Sequence, residues 1–234
     1  MPALLADPAR ALAALLSAPG APARLVVGLV GEPGAGKTTL AAQLALDVGT
    51  ELGAPGTAVA LSMDGFHLPR AALSAGLPPS HPDPVECHAR RGAPWTFDAP
   101  ALVARLRAVL GAHASAAVPW PSFDHAVGDP VEGGVSVPPG ARLLLLEGLY
   151  LLHDEDGWGG VAPLLARCWY LGTPEPVARA RLLARHQAAW GISLEEAEAR
   201  VAQNDGLNAA LVRGCRGRAD AIVEPREMGG GGAA

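Results

Sequence analysis

Lysine is nearly absent. Of the 18 lysines and arginines in this 234-residue chain only Lys37 is a lysine, so a sequence that otherwise uses arginine keeps an ammonium at one place. Cysteine is sparse as well. Cys87, Cys168 and Cys215 are odd in number, unclustered and without a CxxC pair, which excludes a disulfide framework or a zinc ribbon and fits a reducing cytoplasm. Aromatic residues reach only 4% while half the chain is hydrophobic, much of it alanine, so helices with small-residue packing are expected rather than an aromatic-rich sandwich. Excess positive charge is missing too: the net charge of -5 lacks the footprint that displaces counterions from nucleic acid. No apolar run approaches 18 residues, which excludes a membrane-spanning helix. The start, "MPALLADPARALAALLSAPGAPA", has no basic region before its apolar centre and does not read as a leader.

That first stretch reads instead as a helix over 7–17, with Asp7 as N-cap and Pro8 at the first helical position. Five short apolar runs bounded by turn residues read as buried strands: 24–30, 57–63, 142–148, 167–172 and 219–224. Helical patterns lie between them at 37–52, 97–112 and 173–191, and "SLEE" from Ser193 is a capping box that opens another. Strands alternating with helices imply an α/β protein with a parallel sheet covered on both faces. Length favours a single domain over 1–225, with the glycine-rich 226–234 as a disordered tail. The segments 69–100 and 118–139, rich in Pro, Gly and His, are expected to be long functional loops. Within the first, "HPDPVECH" matches no metal-ligand spacing and reads as a polar loop.

The solitary lysine sits in "GEPGAGKTT", which fits G-x-x-x-x-G-K-[ST] between a strand and a helix. Gly31, Gly34, Ala35, Gly36, Lys37, Thr38 and Thr39 are the candidate phosphate cradle, because successive backbone N–H groups and a helix N-terminus bind anions without a side-chain cage. One point charge must still reach the β- and γ-phosphates; an ammonium on a thin stem enters so tight a loop, and a planar guanidinium does not. Thr38 and Glu147, which ends the "LLLLE" strand, are candidate holders of Mg²⁺. Asp64 ends the second strand. The carboxyl ends of parallel strands converge on the ligand crevice, so this carboxylate could orient an acceptor hydroxyl and take its proton. On the helix after the fourth strand, Arg181 and Arg185 share a face and Arg179 points elsewhere; at least one of them is expected to close over the transferring phosphoryl group.

These residues, together with "MDGFHL", "RRGAPWTFD", "PSFDHAVGDPV", "EGLYLL", "LLARH" and "NDGLNAALV", give a chain that resembles the uridine kinase, phosphoribulokinase and bacterial pantothenate kinase branch of P-loop kinases. It is most similar to the nucleoside/nucleotide kinase subgroup that includes fructose-transport-associated kinases. The resemblance implies a three-layer P-loop NTPase fold with a five-stranded sheet in order 2-3-1-4-5 and a mobile arginine-bearing lid. It implies ATP and Mg²⁺ as cofactors and a small molecule with a hydroxyl group as acceptor, with no nucleic-acid partner, in a cytoplasmic monomer or homodimer. Asp64 then becomes the base on the acceptor side. Arg91, Phe123, His125 and His67 become acceptor-binding candidates beside Glu147. Gly65, Phe66 and His67 stand where nucleoside kinases of the branch begin with a serine and a tyrosine, which argues against uridine itself. A nucleotide-binding switch or metallochaperone is the alternative reading, although no N-K-x-D base-recognition motif occurs.

Overall fold

In the computed structural model the chain is described over residues 2–81, 83–112, 116–124 and 127–225. The elements follow in the order β1 (Ala3–Leu4), α1 (Pro8–Ser17), β2 (Leu25–Val30), α2 (Lys37–Glu51), β3 (Ala58–Ser62), α3 (Arg70–Ser74), α4 (Pro84–Ala89) and α5 (Ala99–Gly111). Next come β4 (Val118–Phe123), β5 (Pro130–Val137), β6 (Leu143–Gly148), β7 (Arg167–Leu171), α6 (Glu175–Trp190), α7 (Leu194–Arg200), α8 (Gly206–Gly214) and β8 (Ala221–Val223). The main sheet is wholly parallel in order β1-β8-β7-β2-β6-β3.

The expectation of five strands in order 2-3-1-4-5 is thereby corrected. The main sheet has six strands among the described residues, and their order in chain numbering differs because an edge strand precedes the first expected one and a hairpin interrupts the series. The addition, Ala3–Leu4, pairs with Ala221–Ile222. Two residues have too little pattern to be read as a strand in advance.

Local signals explain the helix starts. Asp7 accepts from the Arg10 N–H and Asp98 from the Ala101 N–H, while Ser193 and Glu196 make both bonds of the capping box. The strands are apolar on both faces because both are covered. Val26, Val30, Leu144 and Leu146 pack toward α5, while Leu25, Val27, Leu29, Leu143 and Leu145 pack toward α1 and α2. Each such side chain contributes about 1.5–3 kcal/mol by leaving water.

The stretches expected as long loops contain regular structure. The "PVECH" part of "HPDPVECH" lies in α4, with Asp83 as its N-cap. Residues 118–139 hold the antiparallel hairpin β4-β5, which is bulged between Trp120 and Ser122. Trp120 is fully buried and its indole Nε1 donates to Ser62 O at 2.9 Å, so the hairpin is anchored to the carboxyl end of β3. Between α7 and α8, Val201–Asp205 forms a π-helical turn, a distortion that often marks a functional site.

Candidate active site

The loop between β2 and α2 takes its shape from two glycines with positive φ, Gly34 at 76° and Gly36 at 93°. An L-residue is strained at either position. Gly34 is constrained a second time, because a Cβ there would overlap Ala178 O on α6. Ala35 O accepts from Thr173 Oγ1 at 2.8 Å and from Arg181 Nη1 at 3.2 Å, so the first half of α6 is tied to the loop. Gly31 follows β2 directly, and Thr39 is exposed on the first turn of α2.

Lys37 opens α2 and is 9% exposed, and its Nζ donates to Glu32 O at 3.0 Å. Glu147, at 5% exposure near the end of β6, accepts from Thr38 Oγ1 at 3.1 Å. Burial pushes the lysine below its ordinary pKa against the attraction of Glu147 and Asp64. Burial likewise raises the Glu147 carboxyl, helped by Asp64 and opposed by Lys37, Ser62 and Thr38. Neither charge is fully offset by protein. A polyanion beside Lys37 and a cation beside Thr38 and Glu147 would favour the charged form of each, so these residues fit phosphate and Mg²⁺.

Asp64 lies in a turn of 3-10 helix over Met63–Phe66, with its backbone N–H bonded to Ser62 Oγ at 3.1 Å. Its carbonyl accepts from the His67 backbone and lies 2.8 Å from His67 Nδ1. Gly65 has no room for a side chain, since a Cβ would overlap Pro121 O of the hairpin. Overpacking of this kind costs about 1–3 kcal/mol. Gly65→Ser should therefore lift the hairpin from the Asp64 turn, lowering the melting temperature and raising the acceptor KM, with thermal melts and steady-state kinetics as the checks.

The acceptor side is aromatic and basic. His67 stacks on Phe123 at 4.4 Å between ring centroids and lies 3.9 Å from Phe97. Arg91 covers Phe123 at 5.6 Å, pairs with Asp129 at 2.9 Å, and donates to Leu68 O and Gly128 O. The Arg91 loop is held from two directions. Tyr150 OH and Asn208 Nδ2 donate to Gly92 O, and Asn204 Nδ2 donates to Arg91 O.

A cleft of about 290 Å³ at the carboxyl ends of the strands brings together Gly34, Lys37, Thr38, Asp64, His67, Arg91, Phe123, Glu147 and Arg185. Arg181 and Arg179 are not in that lining: Arg181 is fixed on the loop carbonyl and Arg179 pairs with Glu198 of α7 at 3.3 Å. His125 and the segment 226–234 lie outside the described residues. The cleft also includes residues to which no role was given from sequence: Arg70, Phe97, His186, Trp190, Arg200, Asn204, Asp205 and Asn208. "LLARH" and "NDGLNAALV" held several of them as motif letters. Placing them needs the π-helical turn, which has no pattern in sequence.

A parallel sheet with this loop after its central strand defines a P-loop protein. No family model matches the chain. It is 45% identical over 151 residues to the ATP-dependent kinase-like protein notR' of Aspergillus versicolor, a match over 63% of this chain and 84% of that one. It is 37% identical over 194 residues to a protein of Schizosaccharomyces pombe named as a candidate uridine kinase, over 81% and 78% of the two chains. Among solved structures, a candidate fructose transport system kinase from Silicibacter superposes with a TM-score of 0.77 at 32% identity, over 94% of this chain and 100% of that one. The chain belongs to the P-loop kinases of the branch related to uridine kinase. Among the described residues no helix is long and apolar enough to cross a membrane.

Proposed function

We propose that this kinase transfers the γ-phosphoryl group of Mg·ATP to an alcohol hydroxyl of a small metabolite by direct in-line displacement, within one domain spanning 1–225. The observation that carries the reading is the cleft itself, in which an ammonium, a threonine hydroxyl, two carboxylates and an arginine converge above the phosphate loop.

In this reading the loop N–H groups and Lys37 hold the β- and γ-phosphates. Asp64 accepts the proton of the acceptor hydroxyl as its oxygen bonds to the γ-phosphorus. The bond from that phosphorus to the bridging oxygen breaks, and ADP departs with the electron pair, its new charge met by Lys37 and the loop. Thr38 and Glu147 are the residues that would hold Mg²⁺, which would supply positive charge to the phosphates. Arg185, four residues beyond the anchored Arg181, is placed to meet the transferring group when α6 and α7 close and exclude water.

The test is ADP release from Mg·ATP across nucleosides, sugars, pantothenate and related alcohols. One acceptor that raises ADP release well above the rate without acceptor is the expected result. Nucleotide binding with no stimulation by any acceptor would instead favour a GTP- or ATP-dependent switch or a metallochaperone.

A further inference from the structure

The acceptor half of the cleft has an aromatic wall and a surplus of arginine, and the two features point the same way. Phe97, His67, Phe123 and Arg91 form one continuous stack, with separations of 3.9, 4.4 and 5.6 Å. Beyond Phe97 the rings of Tyr150 and Trp158 meet it edge-on, each at 5.7 Å. The wall is thus packed against itself. A planar base entering here would have to displace a protein ring from its partner.

The charges on that half are unbalanced. Arg70 and Arg91 are close enough for their charges to repel, and Asp129 is the carboxylate that serves both. Asp129 bonds the Arg91 guanidinium but only the backbone N–H of Arg70. Among the described residues the Arg70 guanidinium makes one long hydrogen bond, with Val127 O at 3.5 Å, and packs against Gly128. On the lid, Arg200 rests on the Trp190 ring at 4.0 Å, and among the described residues no carboxylate pairs with it. The remaining carboxylates of the cleft are engaged: Asp64 and Glu147 face Lys37, and Asp205 bonds His186 at 2.8 Å. In a chain of net charge -5, two guanidiniums at one cleft that bond no carboxylate among the described residues need a reason.

We propose that the acceptor is a non-aromatic alcohol carrying an anionic group, a carboxylate or a phosphate, held by Arg70 and Arg200 while its hydroxyl faces Asp64. This rests on the kinase reading above. It gives α7 a reason to close on the acceptor, because Arg200, which ends α7, and Arg70, which opens α3, both line the cleft.

Calorimetric titration of protein saturated with the non-hydrolysable Mg·AMPPNP separates the possibilities. The probes are matched pairs, glycerate and glycerol 3-phosphate against glycerol, gluconate against glucose and ribose 5-phosphate against ribose, with uridine alongside. At least one anionic member should bind roughly tenfold or more tightly than its neutral partner, and Arg70→Gln and Arg200→Gln should each weaken it about tenfold, leaving Mg·AMPPNP affinity nearly unchanged. Whether the carboxylates or the phosphates bind names the group. Binding of uridine or a neutral sugar as tight as that of the anions, no binding by any anionic probe, or affinities unmoved by both substitutions would overturn the proposal. The same probes with Mg·ATP separate the two readings. Phosphorylation of a neutral acceptor, with a KM unmoved by the substitutions, leaves a kinase of another acceptor class. Binding of an anionic probe that the substitutions weaken, with ADP formation from no probe, leaves the anion site and removes the kinase reading.

Discussion

Asp64→Asn should lower acceptor-stimulated ADP release by roughly 10²–10⁴-fold, the range that a positioned general base contributes. Nucleotide affinity should change little. The substitution keeps the side chain's size, and the turn that presents it is fixed by groups the change does not touch. Ser62 Oγ holds the residue-64 N–H, His67 bonds its carbonyl, and Gly65 lies against Pro121. What is lost is the proton acceptor and one negative charge. Losing that charge removes one of the influences that raise the Glu147 pKa, so the carboxylate that would serve magnesium ionises more easily. The expected signature is therefore a fall in kcat with the KM for ATP nearly unchanged, measured by steady-state kinetics beside equilibrium titration with nucleotide. Turnover equal to that of the parent protein would remove Asp64 from the mechanism.

Asp64, Lys37 and Glu147 were legible in sequence because each signal is local. The phosphate loop is a contiguous motif between a strand and a helix, and the two carboxylates sit at or just beyond the ends of apolar runs that could only be strands. Topology then brings them together, since parallel strands share one carboxyl edge. The capping residues Asp7, Asp98 and Ser193 were legible for the same reason. The hairpin was not. Two prolines in "VPWPSF" and two glycines in "PVEGGVSV" argue against strands, and the pair holds through tertiary contacts such as Trp120 to Ser62 O. Asn204 and Asn208 were also out of reach. Their place at the cleft depends on how the π-helical turn and the Arg91 loop meet, and the residues involved are more than 110 positions apart. Arg70 is placed by Asp129 and Val127, 59 and 57 positions away. Arg179 illustrates a smaller lesson: helical spacing separates it from Arg181 and Arg185, and on its own face it meets Glu198.

Arg24 stands at the opposite end of β2 from the loop, and Arg24→Met should destabilise the protein by about 3–5 kcal/mol, from two buried carbonyls left without a donor. The residue is 3% exposed. Its Nε donates to Ala141 O at 2.7 Å and its Nη1 to Val109 O at 2.8 Å, and Nη2 reaches Pro138 O and Pro139 O at 2.8 and 3.2 Å. Val109 lies in the last turn of α5, where carbonyls have no partner within the helix, so one guanidinium caps a helix and pins the turn that leads into β6. The prolines are exposed and water can replace the donor there. Ala141 is 1% exposed and Val109 fully buried, so their carbonyls stay dry. For a chain of this size the loss corresponds to a fall in melting temperature of about 10 °C. It is also a large share of the ~5–15 kcal/mol by which such domains are stable. Arg24→Lys should recover only part of it, because one ammonium nitrogen cannot span carbonyls that three guanidinium nitrogens now divide. Urea unfolding of the three proteins measures the series, and a midpoint unchanged in Arg24→Met would show that a neighbour takes over the donors. Six strand residues separate Arg24 from Gly31, about 20 Å at the usual rise. Below its lowered melting point the variant should therefore keep its KM for ATP and its kcat, separating a group that holds the sheet together from those at its carboxyl edge.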